Sequence, residues 1–370
     1  MKRFWIVFVG VLAALSITAL AQDTLPLQLT FVGEQRIPTG TIYKETGFGG
    51  ISGISYDPYD NLYYAISDDR GTNGPIRFYT LGLDFDATNF RGVQILSFIG
   101  IQRDDGGMFG EGGADAEGIA FVPSKGTLLW ASEMDYENGA PVVHEMSTDG
   151  RFIRDFAVPD YYIPDENGSG VYANTSFESM ALSPDGQTVI TATESALMQD
   201  GVVATLDKGS LSRILMFDFA TACPTAEYVY ETGLIPHAAV PALELQVNGL
   251  SELLVLDDYT LLSLERSFAS GVGNTINLYT IDLVGATNVL GQAVIQDKTY
   301  TPVTKTLVMT LNEGDFGLNI DNVEGMTFGP VIDGVQTMIF VSDNNFNLLL
   351  QPYTQFLLFT INRIPGEAAH

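Results

Sequence analysis

Pairs of acidic residues recur along the chain at a spacing of sixteen positions. The stretch "EGIAFVPSKGTLLWASEM" begins with Glu117 and carries Glu133 near its end, and "ESMALSPDGQTVITATES" has Glu178 and Glu194 at the same two places. Carboxylates that meet in one site can hold a hard divalent cation or exchange protons with a substrate. We therefore asked which fold would bring these side chains together.

The same pattern occurs five times. The other copies are "SGISYDPYDNLYYAISDD" from Ser52, "ELLVLDDYTLLSLER" from Glu252 and "EGMTFGPVIDGVQTMIFVSDN" from Glu324. Each copy has an alternating strand, a turn rich in Pro, Asp, Asn and Gly, and a second apolar strand, which is the pattern of a β-hairpin. A third strand follows in every copy, and a fourth is visible in four of them.

Five units of about four strands, with no sustained helical period, predict an all-β protein with a β-propeller fold. The segment "LQLTFVGEQRI" precedes the first copy and could supply the missing strand of the last, which would close the ring. Residues 233–249 and 285–303 are not assigned to a strand, so six blades are the alternative to five. We expect a single domain over residues 22–370.

The first 21 residues have the pattern of a secretory signal peptide. Lys2 and Arg3 precede an apolar run from Phe4 to Leu15, and Ala19-Leu20-Ala21 is a small-residue cleavage site. The sequence thus predicts a secreted or periplasmic protein cleaved near Ala21. No later stretch is long and apolar enough to span a membrane, and we expect a monomer.

The charge balance excludes some partners. The chain has 45 acidic and 17 basic residues, a net charge of −28, and such a field repels nucleic acids and anionic membranes. The single Cys223 cannot form an internal disulfide, and only three histidines are present. Cations and small molecules are therefore the expected partners, with an anionic ester as the expected substrate.

A propeller would place the recurring acids at one mouth of its channel. The first strand of each blade lies beside the channel and the second returns antiparallel to it, so the start of one and the end of the other share a face. This predicts a ring of metal ligands made of Asp68, Glu117, Glu133, Glu178, Glu194, Glu252, Glu265, Glu324 and Asp343. Hard oxygen donors suit Ca²⁺, with Mg²⁺ as the alternative. In the competing interpretation these carboxylates only accept backbone N–H groups.

Four arginines are expected on the same face and are candidates for binding a substrate anion: Arg70, Arg77, Arg213 and Arg266. The alternative is that each pairs with a neighbouring acid and fixes a turn. A Gly-rich acidic segment, "RDDGGMFGEGGADAEG" from Arg103, is interpreted as a flexible rim loop.

The repeats resemble the "esterase-like activity of phytase" family of exported, mostly bacterial proteins. The stretches "GGISGISYDPYDNLYYAISDDRG", "AEGIAFVP", "FESMALSPDG", "LLSLERSF", "NVEGMTFGP" and "FVSDNN" carry the resemblance. It implies a phytase-like propeller that hydrolyses phosphate esters or other esters. It also implies that the activity is carried by the matching acids Asp68, Glu117, Glu178, Glu265, Glu324 and Asp343.

The leading hypothesis is a metal-dependent phosphoesterase with Glu117, Glu178 and Glu324 as catalytic residues. A neighbouring Glu would act as general base if crowding of like charges raises its pKa. A metal-dependent lactonase or carboxylesterase with the same ring is the second hypothesis. The third is a binding propeller without catalytic activity, in which Ca²⁺ is structural.

Overall fold

The computed structural model describes residues 27–135 and 139–362, so the segment predicted to be a signal peptide lies outside the described residues. The described chain is all-β apart from two single-turn 3₁₀ helices, Asp160–Tyr162 and Asp315–Gly317. No helix in the described ranges is long and apolar enough to cross a membrane.

The strands form five four-stranded sheets and one small hairpin. The chain starts with β1 (Leu29–Pro38), followed by the hairpin β2 (Ile42–Tyr43) and β3 (Thr46–Gly47). The first blade consists of β4 (Ile51–Asp57), β5 (Leu62–Ser67), β6 (Arg77–Asp86) and β7 (Asn89–Gly100). The second consists of β8 (Ala116–Val122), β9 (Thr127–Asp135), β10 (Ala140–Ser147) and β11 (Phe152–Asp155).

The remaining three blades repeat this order. The third consists of β12 (Ala181–Leu182), β13 (Thr188–Ala192), β14 (Leu211–Asp218) and β15 (Pro224–Glu231). The fourth consists of β16 (Gln246–Val255), β17 (Thr260–Ala269), β18 (Gly273–Asp282) and β19 (Thr304–Asn312). The fifth consists of β20 (Asn322–Ile332), β21 (Val335–Asp343), β22 (Tyr353–Ile361) and, from the start of the chain, β1.

The predicted ring closure is confirmed. Strand β1 pairs antiparallel with β22, with Leu29 opposite Ile361 and Pro38 opposite Tyr353. The two segments that left room for a sixth blade contain no strand at residues 233–245 and 283–303. The fold is therefore a five-bladed propeller in which both ends of the described chain share one sheet, which removes two exposed sheet edges.

Apolar clusters lie between consecutive blades all round the ring. Tyr64 and Phe78 of the first blade pack with Trp130 of the second, and Leu129 of the second packs with Phe217 of the third. Similar clusters join the third blade to the fourth, the fourth to the fifth and the fifth to the first. Because alternate residues of each strand point to opposite faces of the sheet, every blade is buried on both faces, and the strands nearest the channel are held rigidly.

Candidate functional site

An irregularity in the first strand of each blade positions one residue at the channel mouth. The register between the first two strands shifts by one residue in the first, second, fourth and fifth blades. In the third blade the Phe177–Thr193 bridge and the Ala181–Ile190 pair enclose a similar irregularity. A β-bulge of this kind turns an extra side chain out of the ladder. The bulge positions are Ser52, Glu117, Glu178, Ser251 and Glu324.

The second strand of each blade delivers another residue to the same mouth. The backbone N–H groups of Asp68, Glu133 and Glu194 each donate to the carbonyl of the residue two positions before the bulge, at 2.7–3.0 Å. In the fourth and fifth blades the residues in this place lie opposite Gly249 and Asn322. We call these five residues the exit positions, and they are Asp68, Glu133, Glu194, Arg266 and Asp343.

The fourth blade differs from the sequence-based prediction. Its bulge and exit positions are occupied by Ser251 and Arg266, so the placement of Glu252 and Glu265 at the mouth is wrong. The Glu265 carboxylate is fully buried and accepts hydrogen bonds from the Tyr230 hydroxyl at 2.7 Å and the Gly233 N–H at 2.8 Å. A shift of one residue in the strand register exchanges which of two adjacent side chains, here Glu265 and Arg266, faces the channel.

Glu252 is buried outside the mouth, next to the first strand of the third blade. The residues that follow the bulge in the other blades are Gly53, Gly118, Ser179 and Gly325. A Cβ at Gly53 would approach the Glu117 carbonyl oxygen to 2.6 Å, so the first strands crowd together there. The Glu252 carboxylate accepts hydrogen bonds from the N–H groups of Met180 at 3.3 Å and Leu253 at 3.0 Å. For this residue the backbone-acceptor interpretation is correct.

Arg77 and Arg213 do not reach the mouth either. Both side chains are fully buried. Arg77 pairs with Asp69 at 2.5 Å, and Arg213 pairs with Asp200 at 2.6 Å and Glu227 at 3.0 Å. Both guanidinium groups therefore form buried ion pairs within the protein. For these two arginines the alternative interpretation, that each pairs with an acid of the protein, is correct.

The mouth opens into a cavity of about 1150 Å³. Seven of the nine predicted metal ligands line it, namely Asp68, Glu117, Glu133, Glu178, Glu194, Glu324 and Asp343. Among the described lining residues, eleven carry a carboxylate and two, Arg70 and Arg266, carry a guanidinium. Because like charges so close destabilise one another, added positive charge would stabilise this cavity.

Three of these acids, Asp115, Glu117 and Glu133, lie close together and form what we call the acid triad. One carboxylate oxygen from each residue lies within 4.8 Å of the others, and all three side chains are buried. Arg70, at the edge of the cavity, forms an ion pair with Asp115 and lies 3.9 Å from Glu133. Burial, followed by the charge of Glu178, raises the pKa of Glu117 well above its usual value. Burial and Asp115 do the same to the pKa of Glu133.

On the fourth-blade side the compensating charge belongs to the protein. Arg266 lies 2.9 Å from Glu324 and 3.4 Å from Glu194, and we call these three residues the arginine cluster. Burial raises the pKa of both glutamates, but Arg266 opposes that shift. Asn322 adds a hydrogen bond to Glu324 at 2.9 Å. Arg266 thus favours the anionic form of both carboxylates and holds them in place.

Two further acids lie between the triad and the arginine cluster. Burial and the charge of Glu324 raise the pKa of Asp68 to about 8. Burial, followed by Glu194 and Glu133, raises the pKa of Glu178 well above its usual value. Both carboxyls therefore keep a proton to a higher pH than an exposed carboxyl does.

Sequence reasoning missed Asp115 and Asn322, which both lie two positions before a bulge residue. Asp115 falls in the Gly-rich segment that was interpreted as a flexible rim loop. The sequence nevertheless contained a signal for both residues. Residues i and i−2 of a strand share a face, so a polar residue two positions before a ring acid is expected on the same side of the sheet. The end of that segment belongs to the site.

A comparison with known protein families identifies the family of the chain. The profile of the Phytase-like family, described as "Esterase-like activity of phytase", matches residues 46–346. The chain therefore belongs to the phytase-like family.

Individual relatives are more distant. A protein of Arthroderma benhamiae named "Uncharacterized secreted protein" is 28% identical over 266 residues, which cover 61% of this chain and 50% of that protein. The chain thus spans about half the length of this relative. The solved structure of the Dos1 propeller is 8% identical with a TM-score of 0.35, and the match covers 84% of this chain and 67% of that one.

Proposed function

We propose that this member of the phytase-like family is an exported, metal-dependent hydrolase of ester bonds whose active site is the acidic cavity. The single observation that carries the proposal is the acid triad, three buried carboxylates within 4.8 Å of one another. The predicted signal peptide supports export, as does the name of the secreted relative.

The residues present fit a calcium or magnesium ion. The triad offers only hard carboxylate oxygens, and neither His nor Cys lines the described cavity. Asp115, Glu117 and Glu133 would hold the ion, with Asp68 and Glu178 near enough to complete its surroundings. A bound divalent cation polarises the ester oxygen and lowers the pKa of water.

The remaining residues of the cavity have separate roles in this mechanism. Glu178 accepts the proton of the attacking water, because burial and neighbouring acids raise its pKa well above its usual value and make it a stronger base. Arg266 stabilises negative charge that develops on the substrate. Glu324 holds the Arg266 guanidinium in position at 2.9 Å.

Two ester classes remain candidates. Phosphate esters are supported by the presence of Arg70 and Arg266, since a guanidinium matches phosphate geometry. Neutral carboxylic esters and lactones are supported by the excess of eleven lining carboxylates over two guanidiniums, which opposes entry of an anion. The withdrawal of Arg77 and Arg213 into buried ion pairs shifts our proposal toward the neutral esters.

A substrate screen tests the proposal. Purified protein is assayed on p-nitrophenyl butyrate, a lactone and p-nitrophenyl phosphate, with Ca²⁺, with EDTA and after Ca²⁺ is restored. We expect turnover of the neutral esters that EDTA abolishes and Ca²⁺ restores. Glu178→Gln should lose kcat with the fold intact, whereas Asp258→Asn, at the exposed turn between β16 and β17, should not.

Each other outcome selects a different function. Turnover confined to the phosphate ester would favour the phosphoesterase. Absence of turnover on all substrates, combined with a Ca²⁺-dependent rise in melting temperature, would leave the binding propeller. EDTA-insensitive turnover would overturn the metal dependence.

A further inference from the structure

The first hairpin of the fourth blade extends further beyond the mouth than those of the other blades. Strand β16 begins at Gln246, five residues before the bulge position Ser251, whereas β8 begins one residue before Glu117. Past the pair formed by Gly249 and Arg266, the ladder continues through Ser267 and Phe268 to Ala269. This extension stands at one side of the cavity.

The side of the extension that faces the cavity is apolar. Val247 lies opposite Phe268, two residues beyond Arg266, and the two-residue period of a strand puts this pair on the face that Arg266 occupies. Leu245 continues the same face and is 60% exposed. Val272, in the turn after β17, borders the cavity beside them. We call these four residues the apolar wall.

The wall has no structural duty that explains its exposure. None of its four residues belongs to the apolar clusters between the blades, and all four line the cavity that contains the acid triad. Large apolar side chains that rim a polar site are typical of ligand subsites. The cavity, at about 1150 Å³, also has far more room than one ion and a water molecule need.

We infer that the apolar wall binds the alkyl or aryl group of an ester substrate, placing its ester group between Arg266 and the acid triad. The inference rests on the proposed function and names its substrate class: esters with an extended apolar moiety. Polyanionic substrates such as inositol phosphates match neither the wall nor the acidic lining. The substrate should gain affinity with each methylene that the wall removes from water.

A binding experiment tests the wall without requiring turnover. Linear 2-ketones from butanone to decanone mimic the ester carbonyl and are not hydrolysed, and their binding to Ca²⁺-loaded protein is measured by calorimetry. We expect affinity to rise up to about fourfold per methylene while the chain lies on the wall. The kcat/KM for p-nitrophenyl alkanoates should rise with chain length in parallel.

Matched variants locate the effect. Phe268→Ser and Leu245→Ser should flatten the chain-length dependence to below about twofold per methylene. Leu349→Ser, at an exposed leucine that does not line the cavity, should leave it unchanged. Leu245 is exposed enough for its variant to keep the wild-type melting temperature, so a folding defect in the Phe268 variant would not obscure the result.

The outcomes separate the two proposals. Ketone affinity that is independent of chain length in the wild type, or equally steep in all three variants, would overturn the wall as a subsite. Chain-length-dependent binding without turnover of any ester would instead overturn the hydrolase and leave the subsite intact.

Discussion

The two sides of the acidic cavity solve the same electrostatic problem differently. On the second-blade side, Asp115, Glu117 and Glu133 lie together, and their nearest cation is Arg70 at the edge of the cavity, with 41% of its side chain exposed. On the fourth-blade side, Arg266 has only 15% of its side chain exposed and joins Glu194 to Glu324. One side carries a buried cation of its own, whereas the other has only the half-exposed Arg70 and could hold a cation from solution.

The difference shows how a repeated architecture becomes a site. All five blades present a bulge position and an exit position, but only the fourth replaces both acids, with Ser251 and Arg266. A symmetric ring of ten acids would bind cations around its whole circumference. Substituting one blade places Arg266 between Glu194 and Glu324 and leaves the acids of the opposite side without a buried cation.

Removal of the internal cation should have the largest effect. In Arg266→Met the carboxylates of Glu194 and Glu324 stay buried without their partner, and breaking a buried ion pair typically costs about 3–5 kcal/mol. We expect a loss of this size in the free energy of unfolding, measured by urea titration at pH 7. The control is Arg91→Met, which removes surface ion pairs with Asp84 and Asp86 and should leave the free energy of unfolding almost unchanged.

Two further results would sharpen this test. The double variant Arg266→Met, Glu324→Gln should recover part of the lost stability, because it removes one of the two uncompensated charges. If Arg266→Met is as stable as the wild type without added metal, the arginine cluster is not a compensated unit and the comparison fails.

The sequence predicted the fold better than it predicted this asymmetry. The hairpin pattern located the strands, and the segment before the first copy correctly predicted β1 as the closing strand. These features follow from apolar alternation and turn residues, which are local. The ring acids of four blades were found for the same reason, since their positions are the two ends of the same hairpin, sixteen residues apart in three blades and nineteen in the fifth.

Which polar side chains face the cavity depended on strand register and on contacts between residues distant in sequence. Glu265 and Arg266 are adjacent and both polar, so composition could not decide which one faces the cavity, and the bulge at Ser251 decides it. Arg213 is withdrawn from the mouth by Glu227 and by the carbonyl of Gln292, 79 positions away. No spacing rule reveals such a partner.

Calcium binding should distinguish the two sides next. Glu117→Gln removes a charge from the triad and should weaken Ca²⁺ binding by about tenfold or more, the equivalent of losing about 1.4 kcal/mol. Glu324→Gln should weaken it less, because that carboxylate is committed to Arg266. Calorimetric titration of the metal-free variants measures both constants. Equal losses would place the ion between the two sides.

The pH dependence of stability should be determined by the buried acids of the triad and its neighbour Asp68. Burial raises the pKa of Asp68 to about 8 and that of Glu117 well above its usual value. Between about pH 4, where unfolded carboxyls titrate, and pH 8, the folded state binds more protons than the unfolded state. The free energy of unfolding of metal-free protein therefore falls as pH rises through this window.

Thermal melts of metal-free protein should accordingly show a higher melting temperature at pH 5 than at pH 8. Saturating Ca²⁺ should reduce the difference, because the ion replaces the protons. Glu117→Gln should flatten the pH dependence of the melting temperature more than Glu324→Gln does. The reason is that Arg266 already counteracts the rise in the pKa of Glu324 that burial causes. A metal-free protein that becomes more stable from pH 5 to pH 8 would contradict the burial of uncompensated acids.

Replacing Arg70 should have the smallest effect on stability and a distinct effect on the affinity for Ca²⁺. The Arg70 side chain is 41% exposed, so its pair with the buried Asp115 is partly solvated and should contribute less than the buried pairs of Arg266. Arg70→Gln should therefore lower the melting temperature less than Arg266→Met does. Because it releases the Asp115 carboxylate to a metal ion, Ca²⁺ should bind more tightly. If Ca²⁺ binding weakens instead, Arg70 organises the triad and does not compete with the ion, and both sides would then depend on a protein cation.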